Sequence, residues 1–227
     1  MTTGTIAIFI LFVSFAFSLA YLRFHKKRFL QRNAPRSGEN IIALGDSLIK
    51  GVGASPGKDF ISILAQEIRR PIINAGKSGD TTADALGRLE NDVLSQDPRI
   101  VIVLLGGNDV RKGITREETF RNLSLMIDKI RNHGATVLLL GVRGGILIDH
   151  FRWYFHSLAK EKDIPYVPDV YRGIFTEPGL KHDFLHPNDE GYSIIAKRVA
   201  PALKELVRAY YPTGVKQGSF QTHELTR

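Results

Sequence analysis

Five residues scattered along the chain are of the types that acyl-transfer chemistry needs. Ser47 lies in "IIALGDSLIKG", where an apolar run stops abruptly at Gly-Asp-Ser. Asp183 and His186 stand three apart in "DFLHPN", Gly79 sits in "NAGKSGDTT", and Asn108 in "LLGGNDV". A serine hydroxyl becomes a nucleophile only when a base takes its proton and a third group orients that base. A single loop carrying Asp183 and His186 can supply both. The resulting oxyanion needs preorganised donors, and a glycine N–H and an asparagine amide are suitable types. Taken singly, each residue has a plainer reading. Ser47 fits an N-cap or turn, Asn108-Asp109 a turn or cap, and His186 a surface histidine beside a proline. The conjunction is what favours chemistry.

These residues need a scaffold that brings distant loops together. From residue 40 onward the pattern alternates between apolar runs and helix-length amphipathic segments. The strand-like runs are 41–45, 71–76, 99–107, 135–142 and 164–170, and the helical segments are about 57–70, 80–95, 115–133, 148–162 and 189–210. The runs at 101–105 and 137–140 are continuously apolar, as in strands covered on both faces. This predicts an α/β fold, a three-layer α/β/α sandwich around a five-stranded parallel sheet with flavodoxin-like order. Ligands of such sheets bind beyond the carboxyl ends of the strands, and a parallel sheet carries the Ser47, Gly79, Asn108 and His186 loops to that one edge.

Before residue 40 the chain differs. "TIAIFILFVSFAFSLAYL", residues 5–22, has no charge, and as a helix would be ~27 Å long, enough for a bilayer core. Six basic residues and no acidic one lie in 1–36, so the remainder carries 25 basic and 23 acidic residues. The net charge of +8 is therefore a juxtamembrane cluster and not a nucleic-acid face. A cleaved signal peptide would want basic residues ahead of the run, and "MTTG" has none, although "SLA" (18–20) offers a cleavage site. The reading favoured is an uncleaved transmembrane helix at 1–22, whose basic flank also meets anionic lipid. A basic linker at 23–39, a catalytic domain at 40–210 and a polar tail at 211–227 complete the organisation. Charge alone places the domain on the cytoplasmic side.

Other chemistries fit less well. The absence of cysteine excludes disulfides, thiolate metal sites and cysteine nucleophiles. "GKS" at 76–78 suggests a phosphate loop, but a Walker A motif requires glycine where Pro71 stands. Ile49 likewise replaces the last glycine of a G-x-S-x-G elbow. His182 reads as loop surface. Asp46, Asp80 and Asp109 adjoin the site and read as helix caps and loop braces rather than metal ligands.

The four blocks together resemble the GDSL or SGNH hydrolase superfamily over about residues 40–208. The wording "SGDTT" and "GGND" is similar to that of bacterial multifunctional thioesterase/lysophospholipase/arylesterase members. The resemblance implies that Ser47 is the nucleophile, His186 the general base and then acid, and Asp183 its orienting carboxylate. It also implies an oxyanion hole of the Ser47 and Gly79 N–H groups and the Asn108 amide, with no metal and no cofactor. The substrate class implied is a carboxylic ester or thioester. It further implies a secreted or periplasmic habit, in conflict with the charge rule.

Specificity falls to the loops around this edge. Ile146, Leu147 and Ile148, between glycines and an aspartate in "RGGILIDHFRWYF", are candidate acyl contacts, while the aromatics at 151–155 read as packing. Two other functions fit the same features. A carbohydrate O-acetyl esterase would show a preference confined to acetate. A silent membrane-tethered binding protein would carry an unreactive Ser47. The sequence carries no signal of oligomeric state.

Overall fold

The structure, a computed structural model, describes residues 3–142 and 151–211. The order of elements is α1 (Thr3–Arg32), β1 (Asn40–Gly45), α2 (Ser47–Lys50), α3 (Phe60–Ile68), β2 (Ile73–Gly76), α4 (Thr82–Gly87), α5 (Leu89–Asp92), β3 (Pro98–Leu104), α6 (Gly107–Arg111), α7 (Arg116–His133), β4 (Thr136–Leu140), α8 (Phe151–Glu161), β5 (Tyr166–Val167) and α9 (Asp189–Tyr210).

The strands form a parallel sheet in the order β2-β1-β3-β4-β5. Successive residues of each strand face opposite sides, and both sides are covered. Ile41, Ala43, Ile100, Ile102 and Leu138 enter a core shared with α3 and α9. Ile42, Leu44, Val101, Val103 and Leu139 enter a second core with α7 and α8. The continuous apolar runs follow from this, since neither face of β1, β3 or β4 meets water. The result is a three-layer α/β/α fold.

Register sets the site. Gly45 pairs with Gly76 on one side and Leu104 on the other, so the first three strands end level. Their loops open at that edge, two residues before Ser47 and four before Asn108. Gly76 is required by close approach, because a Cβ there would lie 2.3 Å from the Lys50 amide nitrogen. Its bareness lets the helix turn after Ser47 lie directly on β2.

Two elements differ from the sequence pattern. The single helix expected over 80–95 breaks at Arg88 into α4, α5 and a short 3₁₀ turn at Leu94–Gln96. The stretch read as a basic linker is helical through Arg32, and then docks. Arg36 donates to the carbonyls of Arg131 and Asn132, closing the C-terminus of α7, and Asn33 is buried. Arg32 pairs with Asp163 and Lys26 with Glu205. Among the described residues no helix is long and apolar enough to cross a membrane. The side chains of residues 1–11, 13 and 16, which make up much of the proposed span, lie outside the description.

Candidate active site

Asp46, and not Ser47, caps the helix turn after β1. Its Oδ1 accepts from the Leu48 N–H at 2.9 Å. Ser47 is the first residue of α2, 8% exposed, with its hydroxyl left for another partner. That partner is His186, whose Nε2 lies 3.0 Å from Ser47 Oγ. On the other side of the ring, Nδ1 lies 2.8 Å from Asp183 Oδ2.

The turn at 182–187 explains how one short loop holds both residues. The His182 N–H donates to the His186 carbonyl, and Lys181 bridges Pro187 in antiparallel fashion. Asp183 Oδ1 accepts the N–H groups of Leu185 and His186, both at 2.7 Å, which leaves Oδ2 for the imidazole. Tyr171 donates its hydroxyl to the Leu185 carbonyl and ties the turn to the core. The bond to His186 and these two amides hold the Asp183 carboxyl well below the usual carboxylate range. An ionised carboxylate only accepts, so Nδ1 carries a proton, and in the neutral form of the ring the Nε2 lone pair faces Ser47. This is the tautomer that a general base requires.

Asn108, 6% exposed, follows Gly106, which caps α6 at φ +114°. Its Nδ2 donates to the Asp80 carbonyl at 2.9 Å and lies 3.4 Å from Asp46 Oδ2. Arg111 donates to its Oδ1 at 3.1 Å. A guanidinium has donors only, so it fixes which way the amide faces, with Oδ1 toward Arg111 and the two N–H bonds toward Asp80 and Asp46. One of them is only weakly engaged by Asp46 and can serve an oxyanion. Gly79 has φ +86°, a left-handed turn conformation that suits glycine, and its N–H meets no acceptor among the described residues.

Buried polar groups bolt these loops together. Arg88, at the break between α4 and α5, donates to Asp80 Oδ2 at 2.6 Å and to the carbonyls of Gly45 and Ala75. One guanidinium thus joins the ends of β1 and β2 to the loop of Gly79. Asp109, fully buried, accepts from the Thr82 N–H at 3.0 Å and hydroxyl at 2.5 Å, joining the loop of Asn108 to the start of α4. Burial pushes the Asp46 carboxyl up to about 6, against the pull of the Leu48 N–H and of nearby His186.

A cavity of about 430 Å³ opens at this edge, with Ser47 and Asn108 on its floor and Leu104, Val110, Phe175 and Phe184 among its walls. The structure therefore brings Ser47, Gly79, Asn108, Asp183 and His186 to one edge of the sheet. Ile146, Leu147 and Ile148 lie outside the described residues. Of the aromatics at 151–155, Phe151 and Phe155 pack around Phe120 in the core, while Trp153 is exposed. Arg88, Arg111, Tyr171, Phe175 and Phe184 were not singled out from sequence. Only Phe184 left a signal, as an apolar residue inside a polar loop.

The chain matches the model of the GDSL-like lipase/acylhydrolase family over residues 43–194. It is 30% identical over 179 residues to the thioesterase 1/protease 1/lysophospholipase L1 of Escherichia coli K12, covering 75% of this chain and 86% of that protein. It is 31% identical over 181 residues to an arylesterase of Vibrio mimicus, covering 75% of this chain and 90% of that one. The crystal structure of TesA superposes with a TM-score of 0.69 at 28% identity, over 74% of this chain and 99% of the other. The chain belongs to the GDSL-like lipase/acylhydrolase family and is a carboxylic ester hydrolase.

Proposed function

We propose that this enzyme cleaves esters or thioesters with an apolar acyl part through a Ser47–His186–Asp183 triad and a covalent acyl-enzyme. The observation that carries the reading is the 3.0 Å contact between Ser47 Oγ and an imidazole whose far nitrogen is held by Asp183. Ser47 Oγ attacks the acyl carbonyl as its proton passes to His186 Nε2. The oxyanion is met by the N–H groups of Ser47 and Gly79 and by the Asn108 amide. Collapse breaks the bond to the leaving oxygen or sulfur, which takes the proton from His186. Water then attacks the acyl-enzyme, with His186 again as base, and releases the acid. Asp183 favours the imidazolium formed at each step. The apolar walls of the cavity support an acyl group larger than acetyl. Hydrolysis of p-nitrophenyl esters rising with acyl length is the expected result, and a preference confined to acetate contradicts it.

The N-terminal helix is read as a membrane anchor. Its uncharged run, the basic flank behind it and the exposure of Phe12, Phe15, Phe17 and Leu22 support this. The full chain should sediment with carbonate-washed membranes, and recovery in the soluble fraction refutes the anchor. Protease protection in spheroplasts against inverted vesicles assigns the side.

A further inference from the structure

We propose that Phe184, backed by Phe175, is the wall along which the acyl chain of the substrate lies, and that it sets the chain-length preference of this esterase. The proposal rests on the ester-hydrolase reading of the site and adds to it the element that selects among esters.

The argument starts from the turn. Asp183 and His186 are drawn inward by the bonds that fix them, so the residue after Asp183 falls at the tip with no core to enter. A polar residue or glycine suits such a place. This chain puts a phenylalanine there, 76% exposed. The ring is nonetheless held. It meets Phe175 edge-on at 6.0 Å, and Phe175 leans on Tyr171 at 6.2 Å, so a line of rings runs from the core to the rim. The Lys181 ammonium lies over both Phe175 and Phe184, at 5.4 and 5.7 Å. An exposed ring fixed by its neighbours keeps its face ready without ordering cost on binding.

Position and size identify what covers it. Phe175 and Phe184 line the same 430 Å³ cavity as Ser47, with Leu104, Leu105 and Val110 also among its walls. A group bonded to Ser47 as an acyl-enzyme extends into this space. At ~30 Å³ for a water-sized group, a space of about 430 Å³ is many times what an acetyl group fills. Acetyl would leave it largely empty, with neither ring meeting the substrate.

The test uses p-nitrophenyl esters from acetate to dodecanoate, each below its critical micelle concentration, with the full chain as wild type, Phe184→Ala, Phe184→Leu and Phe175→Ala. The ratio of kcat/KM for decanoate to that for acetate should fall about tenfold in Phe184→Ala, as expected for losing part of one aromatic contact. Phe184→Leu should restore most of it, and Phe175→Ala should shift the ratio in the same direction. A ratio unchanged in Phe184→Ala overturns the assignment. So does an equal loss on every ester, which would make Phe184 a brace of the catalytic turn. A loss seen only with micelles or vesicles also overturns it, and assigns Phe184 to a lipid surface. A wild type inert to the whole series would overturn the ester-hydrolase reading and this assignment together. A wild type that cleaves, with variants of unchanged ratio, overturns the assignment alone.

Discussion

The two halves of the proposed triad are built differently. Ser47 sits in a buried part of the catalytic edge, 8% exposed. Its neighbour Asp46 is 5% exposed, Gly76 lies under the next helix turn, and Arg88 clamps the ends of two strands from below. His186 and Asp183 ride on a small turn near solvent, with the Asp183 side chain 47% exposed and Phe184 beside it more so. Stability and activity should therefore be coupled on the nucleophile side and separable on the base side. By the same contrast, exchanging the exposed Phe184 side chain should disturb no core.

The largest effect that sharpens this contrast is on the base side. Asp183→Asn places an amide donor against His186 Nδ1, which favours the tautomer with Nε2 protonated and unable to accept from Ser47. The expected loss in kcat is on the order of 10⁴, with Tm nearly unchanged. A large fall in Tm would show that the turn is part of the cooperative core after all.

On the nucleophile side, Arg88→Met should lower both. It removes the guanidinium from Asp80 and from the Ala75 carbonyl, and leaves the Gly45 carbonyl with the Lys77 N–H alone, in a site where the guanidinium is 14% and the carboxylate 6% exposed. Breaking such a pair costs about 3–5 kcal/mol. In a domain of this size that corresponds to a fall in Tm of roughly 10 °C, with kcat reduced as the Gly79 loop moves. Activity lost at unchanged Tm would break the contrast from this side.

The smallest effect expected is a pH dependence of stability. The Asp46 carboxyl is raised to about 6 by burial, above its unfolded value near 3.8. Its contribution is thus fully present below about pH 3.8 and is lost as pH rises through 6, roughly 3 kcal/mol in all. Asp183 is shifted the other way, but its carboxyl is half exposed and screened by solvent, so its contribution, lost as pH falls, is small. Comparing Tm of wild type and Asp46→Asn between pH 4 and pH 7.5 isolates the first. Wild type should lose several degrees more than the variant over that interval, and parallel curves would remove Asp46 from the account.

Much of the layout was legible in the sequence, and for identifiable reasons. The strands show because β1, β3 and β4 are apolar on both faces. Helix α9 shows because its period runs unbroken from an Asn188 cap through Tyr210. Periodicity gives one continuous helix over 80–95 because it does not register one arginine turned inward to bond strand-end carbonyls. The single turns α2 and α6 are too short to show any period. Ser47 taken singly fits a cap as well as a nucleophile, and the sequence does not show that Asp46 takes the cap. Arg111, Arg88 and Tyr171 act through partners that local pattern does not reveal, such as Tyr171 with Leu185, 14 residues away. The span proposed at 1–22 and the tip at 146–148 fall wholly or largely on side chains outside the description.

The central claim is that His186 withdraws the proton of Ser47, and the rate of covalent modification by a fluorophosphonate reads it directly. Intact wild-type protein should be labelled at Ser47 and nowhere else. His186→Asn should slow labelling by several orders of magnitude while retaining the fold by circular dichroism. Labelling of the folded His186→Asn variant at the wild-type rate, or a wild type that does not react at Ser47, would contradict the account.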